Sequence, residues 1–178
     1  MARFGSLRRI YELLGYQPSS RQLRTSMNGE RTRNLRASLL RQIEVMFPGQ
    51  VTRTAMPGTR RLGLQVKDGP LVSVLVCLHY RTKSLKRVRW NLIPYRNESH
   101  LPALVCLSNA KHDGFNRLYL FPRIDKDMTA YQIKSEADSW LRAGEKMSTL
   151  DEFCYTVRRI AAQSTLLSSA RAKAGAGC

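Results

Sequence analysis

LVSVLVCLHY, residues 71–80, is apolar at nearly every position. A strand with one wet face alternates apolar and polar residues, whereas an unbroken apolar run suits a strand covered on both faces. The stretch therefore predicts a central strand with packed layers on either side. It is also far short of the roughly 20 apolar residues that cross a bilayer, and no other run comes closer.

The neighbouring runs build a sheet around it. RLGLQV (61–66) precedes it, and Asp68-Gly69 between the two is a hairpin signal. KRVRWNLIPY (86–95) alternates, with Val88, Trp90 and Leu92 set against Arg87, Arg89 and Asn91, which predicts a half-buried strand with a basic outer face and Trp90 in the core. PALVCLS (102–108) and RLYLFPRI (117–124) read as two more strands joined by the polar loop NAKHDGFN. The segment IDKDMTAYQIKSEADSW (124–140) has no clear period.

Helices are expected at both ends. Phe4, Leu7, Ile10, Tyr11 and Leu14 keep helical spacing, with Ser6 as N-cap and Gly15 as stop. YQPSSRQLRTSMNGER (16–31) is polar and reads as a loop or linker. A second helix runs from about Thr32 to Phe47 on Leu35, Leu39, Leu40, Ile43 and Met46, and Pro48-Gly49 ends it. Thr149 to Glu152 has capping-box spacing for a last helix, whose apolar face is Leu150, Phe153, Val157 and Ile160.

The predicted class is α+β: N-terminal helices, a mixed or antiparallel sheet of about five strands, and a C-terminal helix. Residues 1–50 form a basic helical segment, 51–163 the α+β core, and 164–178 a tail of Ala, Ser, Gly and Lys expected to be disordered. The order of strands ending in LYLFP also resembles the restriction-endonuclease-like fold with its acids lost.

Charge identifies the partner. The 178 residues carry 30 Lys+Arg against 13 Asp+Glu, a formal net charge of +17. Residues 1–61 hold twelve arginines, no lysine and only Glu12, Glu30 and Glu44 as acids. Arginine makes bidentate forks with phosphate and can also read guanine, so an arginine-only excess favours nucleic acid over a merely solubilising surface. Arg8, Arg9, Arg31, Arg33, Arg36 and Arg41 from the helices, with Arg60, Arg61, Arg87 and Arg89 along the sheet, are expected to form one continuous cationic surface that grips phosphates.

Signals for chemistry are sparse. There is no Walker A sequence, dinucleotide fingerprint or G-x-S-x-G elbow. His79, His100 and His112 lack zinc spacing, and Cys77, Cys106, Cys154 and Cys178 are too far apart for a C-x-x-C pair. Neither a metal nor a cofactor is expected, and a reducing, cytoplasmic (nucleoid-associated) setting fits best. MARFGSLRR lacks the apolar region of a secretory signal. Magnesium nucleases need more than one hard carboxylate, and the candidate strands carry almost none. That argues against an enzyme.

RFGSLRRIYELLGY (3–16) resembles a segment in the C-terminal, non-catalytic part of bacterial large serine recombinases of the resolvase/invertase class. LVSVLVCL, RVRWNL, LYLFPRID (118–125) and DEFCYTVRRI (151–160) extend the resemblance over roughly residues 3–160. No stretch matches the serine-bearing catalytic domain of those enzymes, so no catalytic residue carries over. The resemblance implies a non-enzymatic module that binds nucleic acid, duplex DNA above RNA, beside a recombinase or other mobile-element protein. The alternative is a divergent metal-dependent endonuclease using Asp113 with Glu98 or Asp125. A second alternative is an RNA-binding subunit of a ribonucleoprotein particle.

Overall fold

In the computed structural model the described residues are 10, 13–17, 19–59, 61–81, 88–92, 100–124 and 131–162. The fold is α+β, as the run of elements predicts. Helix α1 (Ser20–Met46) leads into strands β1 (Val51–Ala55), β2 (Leu62–Val66) and β3 (Leu71–Cys77). The short strands β4 (His79–Arg81) and β5 (Val88–Leu92) follow, then β6 (Ala103–Ser108) and β7 (Phe115–Phe121). Strands β8 (Tyr131–Ile133) and β9 (Glu145–Met147) flank a 3-10 turn at Ser139–Ala143, and helix α2 covers residues 153–162.

A six-stranded sheet runs β1-β2-β3-β6-β7-β9, and a three-stranded sheet runs β4-β5-β8. All pairings are antiparallel except β3 with β6, where Ser73 to Cys77 align in parallel with Ala103 to Leu107. Among the described residues nine strands stand where the apolar runs predict about five. The extra ones are short or lie at edges, where burial on one face leaves little pattern to read.

The central strand behaves as its composition demands. Val72 and Val74 join a core with Leu64, Val66, Leu104, Cys106 and Leu120, closed by Leu39, Leu40 and Ile43 of α1 and by Phe153, Val157 and Ile160 of α2. Leu75 and Cys77 face the other way, into a second core with Ala103, Val105, Leu107, Tyr119, Phe121, Trp90, Leu92 and Ile133. The molecule therefore stacks helices, large sheet and small sheet, and β3 and β6 are buried on both faces. A fully buried Leu or Val of this kind contributes about 1.5–3 kcal/mol.

Local signals behave well at several joints. β2 and β3 form the predicted hairpin, and Asp68 sits at its turn with φ 56. Gly15 takes φ 67 where the first helix was expected to stop. Trp90 is 2% exposed and donates its indole N–H to the carbonyl of Ser108 at 2.9 Å. The final helix buries Phe153, Val157 and Ile160, although Thr149 makes no side-chain cap bond; Glu152 reaches back to the amide of Ser148 instead.

One expectation is overturned. The polar segment 16–31 is not a loop beyond Ser19: α1 begins at Ser20 and runs unbroken for 27 residues. Ser19 and Gln22 form a capping box, with the Gln22 amide donating to Ser19 Oγ at 3.3 Å and the Ser19 amide donating to Gln22 Oε1 at 2.8 Å. Thr25 and Thr32 return their hydroxyls to the carbonyls of Arg21 and Asn28. Those polar side chains are satisfied inside the helix rather than competing with it.

Candidate nucleic-acid interface

Helix α1 has two unlike halves. From Leu35 onward it is an ordinary core helix, with Leu35, Leu39, Leu40 and Ile43 buried. From Ser20 to Asn34 it carries no buried side chain at all. Fifteen helical residues span about 22 Å, so more than four turns stand clear of the hydrophobic core. Four arginines on that half face a single acid, Glu30.

Successive helical residues advance by about 100°. On that spacing Arg21, Arg24, Asn28 and Arg31 share an arc of about 80°. All four are exposed, and their side chains make no hydrogen bond or ion pair with any of the described residues. The arc runs on into Leu35 and Leu39, so the stripe points toward the side on which the body of the protein lies. Arg31 is close enough to the 109–114 loop for its charge to act on His112. Overhanging helix and loop thus make a cationic corner, to which exposed Lys111 adds.

The arginines expected to form one surface are divided. Arg31 lies on the stripe. Arg33 and Arg41 are exposed but roughly 160° and 120° away around the helix. Arg36 is 7% exposed and donates from Nη2 to the Leu62 carbonyl at 2.6 Å, so it ties α1 to β2 and is withdrawn from phosphate contact. Arg61 is half-buried just ahead of β2. Arg89 is half-buried on β5, donating to Gln132 Oε1 at 2.9 Å. Arg8, Arg9, Arg60 and Arg87 lie outside the described residues. Arg21, Arg24 and Asn28 were hidden by the reading of 16–31 as a loop, though the S-x-x-Q spacing of Ser19 and Gln22 marks a helix start.

A second cationic feature lies beyond the corner. His79, Arg89, Trp90, Asn116, Lys134, Ser135 and Glu136 line an open cleft of about 600 Å³. Glu136 is engaged by Arg117 at 3.0 Å, which offsets its charge. His79 and His112 stand with ring centroids 6.3 Å apart, and His112 Nδ1 is 3.3 Å from the buried Ser108 Oγ. Partial burial, Arg31 and His79 together hold the His112 pKa below its ordinary 6.5, against the opposing pull of Asp113.

Of the carboxylates named for the endonuclease alternative, Asp113 alone lies among the described residues. Asp113 accepts from the Asn109 side-chain amide at 2.6 Å within its own loop, and Glu98 and Asp125 lie outside the described residues. Among the described residues no group of three His, Cys, Asp or Glu could hold a metal ion. Nor, among them, is any helix long and apolar enough to cross a membrane. Of the described aromatics near basic groups, Tyr16 and Tyr155 are 49% and 70% exposed, while three others are engaged. Trp90 is buried, Tyr80 donates to Asn91 at 3.1 Å, and Trp140 stacks on Phe121 at 4.3 Å.

Comparison with protein families, with curated proteins and with solved structures finds no match to this chain.

Proposed function

We propose that this protein is a non-enzymatic nucleic-acid-binding module that engages duplex DNA through the cationic corner between the first half of α1 and the 109–114 loop. The observation that carries the reading is the exposed arginine stripe without ion pairs on a helix half that supplies nothing to the core. Arg21, Arg24 and Arg31, with Lys111 beside them, meet a polyanion. The cleft at Arg89 and Lys134 extends the positive surface across the body.

Duplex is favoured over single strands by the state of the aromatics. Recognition of unpaired bases uses exposed rings as stacking platforms, and the helix half from Ser20 to Asn34 that bears the stripe carries no aromatic residue. The resemblance at residues 3–16 supports a setting beside a recombinase or another mobile-element protein. Fluorescence anisotropy on a labelled duplex tests the reading. Replacing Arg21, Arg24 and Arg31 together by Ala abolishes most of the affinity if it is right and leaves binding intact if it is wrong.

A further inference from the structure

We infer that the first half of α1 is a base-reading helix that enters the major groove, with Arg21, Arg24, Asn28 and Arg31 directed at base edges. The inference rests on the duplex-binding reading above and adds how the duplex is recognised.

Dimensions come first. An α-helix with its side chains is about 10–12 Å across, and the major groove of B-form DNA is about 12 Å wide. A helix enters that groove only over turns whose side chains are not locked into a core. Residues 20–34 meet this condition, since every side chain there is exposed or half-buried. The core-packed half beyond Leu35 does not.

Chemistry comes second. The major-groove edge of guanine offers two acceptors that an arginine fork matches, and adenine offers an acceptor and a donor that an asparagine amide matches. The stripe holds three arginines and one asparagine, spaced three, four and three residues apart. It therefore presents a row of such readers along one side of the helix. Asn28 gives the strongest indication. A helix that only collected phosphates would gain less from a neutral amide than from another cation at this place, and among the described residues this amide has no hydrogen-bond partner.

The flanks agree. Met27, 45% exposed, lies beside the stripe, Leu23, 36% exposed, lies about 40° further round, and neither belongs to a core cluster of the described residues. Thymine methyl groups provide an apolar surface in the same groove. Arg33 and Arg41, about 160° and 120° round the helix from the stripe, add to the positive field around the duplex without facing the bases. The stripe faces the body of the protein, so a duplex in the corner also meets Lys111 and the 109–114 loop.

Selection of bound duplexes from a random-sequence pool by the full chain tests the inference, followed by anisotropy on the enriched duplex and a scrambled one at fixed salt. The enriched sites contain guanine and adenine at fixed positions. Asn28→Ala and Arg24→Ala each lose about 10- to 100-fold discrimination at one base pair, while Arg33→Ala weakens both duplexes alike. These side chains are exposed, and unchanged circular dichroism confirms that the variants fold. A pool that stays random while duplex binding remains strong and salt-dependent overturns base reading but leaves duplex binding standing. Absence of any duplex binding overturns both. Preference for structured RNA overturns the groove assignment, because the A-form major groove is too deep and narrow for side chains to read.

Discussion

Arg36 Nη2 lies 2.6 Å from the carbonyl oxygen of Leu62, joining the middle of α1 to the start of β2. Its neighbour Arg33, three residues back, points into solvent. Two arginines that look equivalent in sequence thus work on different links of the chain from fold to function. Arg36→Ala removes a charge-assisted hydrogen bond and the packing of the side-chain stem, which costs about 2 kcal/mol. For a chain of this size that lowers Tm by roughly 4–8 °C. Arg33→Ala changes Tm by no more than about 2 °C, since surface substitutions stay within about 0.5 kcal/mol. Thermal melts of both variants check the contrast.

The exposed half of α1 depends on its cap, because none of its side chains is buried in the core. An isolated helix of this length is marginal in water, and Ser19 with Gln22 closes its first turn. Ser19→Ala costs about 1 kcal/mol of local stability. The effect appears as faster amide hydrogen exchange through residues 21–30, with exchange in β3 and β6 unchanged. DNA affinity falls with the helix population.

The sheet was legible and the interface was not, for one reason. Hydrophobic pattern reports burial, so β3, β6 and the alternating β5 announce themselves. Residues 20–34 bury nothing, and their polar run looks like a loop; only the S-x-x-Q spacing betrays the helix. The division of the arginines was equally invisible, since the burial of Arg36 depends on a β2 carbonyl 26 residues away. The cleft gathers His79, Arg89, Asn116 and Lys134 from four separate segments, a juxtaposition that only the sheet topology creates.

Buried thiols supply a third test. Burial pushes the Cys77 pKa up to about 12. Cys106 is also raised well above its ordinary value by burial and by neighbouring Cys77, with Arg36 only partly opposing. Since the thiolate is the reactive form, neither cysteine is alkylated by iodoacetamide at pH 8 in the native protein. Both react once denaturant is added, and peptide mass spectrometry resolves the two sites.

Acid stability follows from Asp138. Burial works against its ionisation. Hydrogen bonds from the Lys134 amide, the Tyr131 hydroxyl and the Trp140 amide, together with the Lys134 charge, outweigh burial and hold its pKa below the ordinary 3.8. The folded state then binds fewer protons than the unfolded one just below that value. The contribution of Asp138 is complete above pH 3.8 and is lost as pH falls through the folded pKa. His112 acts with the same sign in a higher window: its lowered pKa means that stability is lost as pH drops below 6.5. Denaturant titrations from pH 7 to 3 reveal both steps. Asp138→Asn flattens the lower one and His112→Gln the upper one.

The salt dependence of duplex binding addresses the central claim most directly. If four to six phosphates are neutralised at the corner, log K falls linearly with log salt at a slope of about −4 to −5. That amounts to a roughly 10²–10³-fold loss of affinity between 50 and 200 mM. Lys111→Ala should reduce the slope by about one. A flat response, or a steep one that Arg33→Ala, Arg41→Ala and Lys111→Ala all leave unchanged, contradicts the account.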